Sequence, residues 1–229
     1  YPEDELSLWR ENADEELSMR RAQSSFLAED RLRSELFDGH PYSRGALNET
    51  AIAAVSAARL RPYHAARLRP AGGFLVLVGD LHEDEARRTL EKSLSSWTAG
   101  VAPAALAPLP GHGRARTILV PRPGSAQATL VVAQTMTMTP HDPDYLDFVV
   151  ANHALGGTAN SRLFENLRTR HGYTYGAYSS MEVYGKGTVW SAGADVRPDS
   201  AGSALAEIRA EAERLRLEPV AAEVLASSK

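Results

Sequence analysis

Residues 98–113 constrain the fold most. This stretch is rich in proline, alanine and glycine and carries almost no charge, so it reads as a linker of extended, polyproline-like stiffness. It predicts a domain boundary, with residues 1–99 and 115–229 folding on either side of a linker at 100–114. Both blocks mix helix and strand patterns without the regular βαβ alternation of a nucleotide-binding fold, which predicts an α+β class.

In the first block, Leu6, Trp9, Ala13, Glu16, Leu17 and Arg20 fall near a 3.6-residue period, which predicts one or two helices over 4–37. Gly39 and Pro41 then stop the pattern. Residues 51–60 read as a short helix with Thr50 as its N-cap. The β-branched and aromatic run 74–78 reads as a buried strand, and 84–97 as an amphipathic helix. In the second block, 117–120 and 127–134 read as strands and 144–155 and 162–170 as helices, ended by glycines. Residues 173–184 and 188–196 form a hairpin across Gly185 and Gly187, and 200–217 is a final helix.

Composition excludes several functions. A net charge of −4 and scattered arginines argue against a nucleic-acid partner. The absence of cysteine removes disulfides, thiol nucleophiles and thiolate zinc sites. No apolar run approaches the ~20 residues of a membrane span. The acidic start shows no signal peptide, and the chain opens in what reads as mid-element, which predicts a mature product or a fragment. No two of the seven histidines lie three or four residues apart on one helix, so a helical two-histidine zinc motif is missing. A serine nucleophile elbow is missing too. The glycines at 156 and 157 lack the preceding strand and the Lys-Ser/Thr ending of a phosphate loop, and by themselves read as a helix stop followed by a helix start.

The segment 155–180, LGGTANSRLFENLRTRHGYTYGAYSS, resembles the second domain of the peptidase M16 family of pitrilysin, insulin-degrading enzyme and mitochondrial processing peptidase. So, in order, do the Glu35 to Tyr42 segment with its His40-Pro41-Tyr42, the Arg69-Pro70 step before the apolar run at 74–80, and the opening at 122–127. The resemblance implies two homologous M16-type α/β sandwich domains, each partial: the later part of a first domain and the earlier part of a second. It implies that Arg168 and Tyr175 hydrogen-bond a peptide near its scissile carbonyl. Both are donors, and donors aimed at a developing oxyanion stabilise the transition state. The glycine-rich turn makes Gly156, Gly157 and Asn160 candidate substrate-binding residues.

One departure matters. Active members carry H-x-x-E-H, whose histidines bind zinc while its glutamate activates water, and a later glutamate is the third ligand. This sequence has no H-x-x-E-H; Glu16 falls at or beside the third-ligand position and would bind metal only if that motif lies upstream, while a solvated helix acid is an equal reading. The resemblance therefore implies zinc in the complete enzyme and none on this chain alone. Two functions stay open. One is part of a zinc metalloendopeptidase, acting on a peptide substrate with an H-x-x-E-H partner subunit or as a homodimer. The other is an inactive scaffold or peptide-binding subunit.

Overall fold

Acidic side chains at Glu3, Asp4 and Glu5 and basic ones at Arg20 and Arg21 oppose the dipole of the first helix, α1 (Glu3–Arg21). A second helix, α2 (Ser24–Leu36), follows, and Gly39 at φ 73° turns the chain after it. The structure is a computed structural model, and it describes residues 1–98, 104–111, 113–220 and 225. The remainder of the Pro/Ala-rich segment, 99–103 and 112, lies outside the described residues. Packing divides the chain into two compact units, Tyr1–Glu16 with Leu47–Ala105 and Leu17–Ala46 with Leu106–Lys229.

In the first unit, α3 (Glu49–Ala53) is capped by Asn48, whose side-chain oxygen accepts from the Ala51 amide at 2.8 Å. The cap is thus Asn48 and not Thr50, which lies inside the first turn. The single helix expected over 51–60 is also interrupted. Arg10 donates to the Val55 carbonyl at 2.8 Å, and a new helix, α4 (Ala57–Arg67), starts after Ser56. A fifth helix, α5 (Glu83–Ser93), carries Arg87 over Glu83 at 2.8 Å. Leu6 and Ile52 are buried in this unit.

The strand expected at 74–78 is not formed. The run has no regular secondary structure, and Phe74 and Val78 are 92% and 93% exposed. An all-apolar run is suited to a strand covered on both faces, and it becomes a strand only when neighbours take up its N–H and C=O groups. The described residues supply no such neighbour. Residues 117–120 behave in the same way, with Leu119 87% exposed.

The second unit is built on an antiparallel sheet of β1 (Ala128–Met136), β2 (Ala177–Tyr184) and β3 (Gly187–Val196) in the order β1-β3-β2. The register pairs Leu130 and Ala177 with Ala194, on either side of the central strand. The β2–β3 turn runs through Gly187 at φ 155°, as the glycines at 185 and 187 predict. Strand alternation sends Trp190, Ala192, Ala194 and Val196 to one face. There they meet Leu155, Leu163, Leu167, Ala204 and Ile208, which come from the segment containing α6 (Tyr145–Asn152) and α7 (Arg162–Phe164) and from α8 (Ala201–Leu217). The chain is α+β, as its pattern predicts.

The opposite face carries a second cluster of Phe37, Leu109 and Val189, with Tyr42, Ala133 and Tyr184 against it. Ring centroids of Tyr184 lie 5.2 Å from Phe37 and 4.7 Å from Tyr42. Buried His40 accepts from the Tyr42 amide at Nδ1 (3.2 Å), so Nε2 donates to the Ala107 carbonyl (3.1 Å). The His40-Pro41-Tyr42 motif and Leu109 of the Pro/Ala-rich segment therefore both pack on the sheet of the second unit.

Burial, and after it a hydrogen bond to Glu182, holds the Tyr184 phenol above its ordinary range, against a weaker opposing pull from Arg33. A raised folded-state value stabilises the fold fully below the unfolded phenol range, near 10, and that contribution is lost as pH rises through the folded value. In an ultraviolet phenolate titration, one of the eight tyrosines should ionise late, above the ordinary phenol range. Tyr184→Phe should remove that late step; its persistence would place the late phenol elsewhere.

Candidate substrate-binding site

Helix α6 runs directly into a wider π turn, His153–Gly157, and α7 runs into another, Glu165–Arg170. Such π insertions in α-helices occur frequently at functional sites. The first turn is pinned to β2 and β3. Ser179 donates its hydroxyl to the Asn152 carbonyl at 3.2 Å, and the Trp190 indole donates to Asn152 Oδ1 at 2.9 Å. Gly156 is buried against β2, where an added Cβ would meet the Ser179 backbone nitrogen and lie 2.5 Å from its Oγ and 2.8 Å from its Cβ. At Gly157 the nearest neighbour of an added Cβ is the His153 ring, at 2.9 Å. Both glycines have ordinary negative φ, so room and not backbone freedom requires glycine at 156.

The loop after Gly157 carries exposed Asn160 and leads to Ser161, whose hydroxyl accepts from the Phe164 amide at 3.5 Å. From there the helical period divides the side chains. Leu163 and Leu167 are fully buried, and Phe164 and Arg168, the next residue in each case, turn outward. The Arg168 guanidinium lies 4.8 Å from the Phe164 ring centroid, a cation–π distance. It remains exposed.

The chain then closes a tight loop. His171 N donates to Asn166 O (3.1 Å), Gly172 N to Arg168 O (3.1 Å) and Tyr173 N to Leu167 O (2.9 Å), with Gly172 at φ 63° as the helix stop. Tyr175 sits at the tip of the following bend. The Thr174 hydroxyl clasps this bend, donating to the Gly176 carbonyl at 2.9 Å and accepting from the Gly176 amide at 3.1 Å. Tyr175 is 86% exposed. The Tyr178 ring folds over Gly176, where an added Cβ would lie 2.7 Å from it.

Arg168 on the closed turn and Tyr175 on the bend after it are thus both exposed just before β2, and Gly156 touches that strand at Ser179. Asn160 lies on a separate exposed loop. Glu16 is exposed on α1, and among the described residues no group of three His, Cys, Asp or Glu could hold a metal ion. Three supporting residues were not singled out from the sequence: Phe164 beside Arg168, Thr174 clasping Tyr175, and Asn166. The first two had signals, the i, i+4 spacing of Phe164 and Arg168 and the hydroxyl two residues before Gly176.

Residues 54–229 match a family model described as the peptidase M16 inactive domain. The chain is 26% identical over 187 residues to a Mycobacterium tuberculosis protein named an uncharacterized zinc protease, covering 79% of this chain and 42% of that relative. It thus spans less than half the length of the curated relative it matches. Its fold resembles a peptidase M16 inactive domain from Pseudomonas fluorescens, with a TM-score of 0.84 and 24% identity over 100% of this chain and 55% of that one. It also resembles a protease from Helicobacter pylori, with a TM-score of 0.82 and 19% identity over 100% of this chain and 56% of that one.

Proposed function

The chain belongs to the peptidase M16 family, by way of its inactive domain, and on that premise we propose that it is the substrate-binding part of a zinc metalloendopeptidase. Arg168 and Tyr175 bind an extended peptide at the carbonyl of the bond to be cut. The observation that carries this reading is the pair itself: two strong donors, both exposed, Arg168 on a turn whose backbone is closed by three hydrogen bonds and Tyr175 on the bend that follows it. Such donors do not need to reorganise when charge develops on a carbonyl oxygen. The guanidinium presents a planar fork of N–H groups and the phenol a single O–H; in this reading both donate to the same carbonyl oxygen.

The described residues do not fit a zinc site, since no three ligand-type side chains converge. Zinc named in the relatives therefore belongs, in this proposal, to residues outside the described set or to a partner subunit with H-x-x-E-H. The domain boundary in the Pro/Ala-rich segment and the pairing of a peptide strand to a sheet edge are parts of the same proposal.

The test is the metal content of the full-length gene product, purified with its bound partners and without added zinc. About one zinc per molecule, with peptide cleavage, is the expected result. Absence of zinc from both the product and its partners would overturn the enzyme reading in favour of a scaffold or peptide-binding subunit.

A further inference from the structure

We propose that Asn166, through its buried bond to Glu211, is the positioning residue that sets the turn presenting Arg168 and Tyr175; the functional half of this inference rests on the reading of that pair given above. Asn166 and Glu211 are 4% and 2% exposed. The Asn166 amide donates to Glu211 Oε1 at 2.6 Å and to Glu207 Oε2 at 3.0 Å. Arg214 donates to the same oxygen, Glu211 Oε1, at 2.9 Å. The side chain of Asn166 is thus tied to α8 while its carbonyl accepts from His171, at the base of the loop that carries Arg168. Leu167, the next residue, is packed in the core.

The contact is poorly suited to be simple packing. Asn166 Oδ1 and Glu211 Oε2 are buried without a hydrogen-bond partner among the described residues. Buried polar atoms left unpaired destabilise a fold, whereas an apolar pair of similar shape would be neutral or better. What the polar contact adds is direction. An amide group aimed at two carboxylates of α8, Glu211 and Glu207, fixes the rotation of the π turn about its axis, and hence where Arg168, two residues on, projects. Leucine side chains alone leave that rotation looser, because their contacts are non-directional.

The test exchanges the two groups in the full-length protein. Asn166→Asp sets carboxylates against each other. The double variant Asn166→Asp with Glu211→Gln again places an amide opposite a carboxylate, with half-buried Glu207 free to turn outward. Amide hydrogen exchange is read at His171, Gly172 and Tyr173, and cleavage of a fluorogenic peptide is read in the zinc-loaded enzyme. Asn166→Asp should speed exchange at those three amides at least ~10-fold while β3 amides stay as protected as before. It should lower kcat about 10-fold with KM changed less than about twofold. The exchanged pair should recover most of both losses. Unchanged exchange in Asn166→Asp, or no recovery in the double variant, would overturn the proposal. If Asn166→Asp does not fold, native exchange in the double variant supports it and failure of the double variant to fold overturns it. If Arg168→Ala leaves cleavage intact, the substrate-binding reading fails while the exchange measurement still judges Asn166.

Discussion

Replacing Arg168 by alanine, or Tyr175 by phenylalanine, should each lower kcat for peptide cleavage by the full-length zinc enzyme about 100- to 1,000-fold, the range for loss of one oxyanion donor. Both side chains are exposed, and the buried supports of the turn are Leu163, Leu167 and Asn166. Stability should therefore stay within about 0.5 kcal/mol of the parent, as for other surface substitutions. Tyr175→Phe is the more incisive variant because it removes only the hydroxyl. KM should change far less than kcat, since the donors gain strength as charge builds on the carbonyl oxygen. The double variant should lose less than the product of the two single losses, because both donors serve one oxygen. A parallel rise in KM with kcat untouched would instead mark the pair as ground-state peptide contacts.

The second large effect is on stability. Gly156→Ala should destabilise the second unit by about 3 kcal/mol, at the upper end of overpacking costs. Two terms oppose each other. Alanine is favoured over glycine in a helix interior by about 1 kcal/mol, but the new methyl would sit against the Ser179 nitrogen and Cβ. That nitrogen belongs to β2, which is paired to β3 along its whole length, so it cannot withdraw without breaking the ladder. The steric term wins. For a unit of this size, melting should fall by about 6–12 °C. Gly157→Ala is the internal control. There the neighbours are side-chain atoms of His153, Cδ2 at 2.9 Å, Cγ at 3.2 Å and Cβ at 3.3 Å, which can shift by a few tenths of an ångström where a paired strand nitrogen cannot, and the helix preference offsets most of the cost. Its melting temperature should stay within about 3 °C of the parent. Equal losses at both positions would mean that the glycines serve the turn's backbone and not its approach to β2.

Local patterns were readable where the sequence also contains what an element packs against. The hairpin expected over 173–196, the final helix and the glycine stop at 172 all emerge from periodicity and turn chemistry, because their partners lie within the same unit; the stop expected at Gly156 is not there, since the helical turn His153–Gly157 runs through it. The apolar runs at 74–78 and 117–120 read equally well as strands and are not formed, since strand pairing depends on neighbours that a local pattern cannot supply. The N-cap moved from Thr50 to Asn48 because two good capping residues lie close together, and only the path of the chain decides between them. At the candidate site, Arg168 and Tyr175 came from a motif resemblance. Asn166 was invisible in the sequence: an asparagine in a charged helix looks solvated until α8 brings Glu211, 45 residues on, over it.

The claim that this chain supplies donors to a zinc site formed elsewhere is tested most directly by cleavage rate per bound zinc. The measurement compares the full-length product with its Arg168→Ala and Tyr175→Phe variants. Equal zinc content in all three, with the rate per zinc lowered about 100-fold or more in the variants, is the predicted result. Equal zinc content with an unchanged rate per zinc would contradict it, and the exposed pair would then have no part in cleavage.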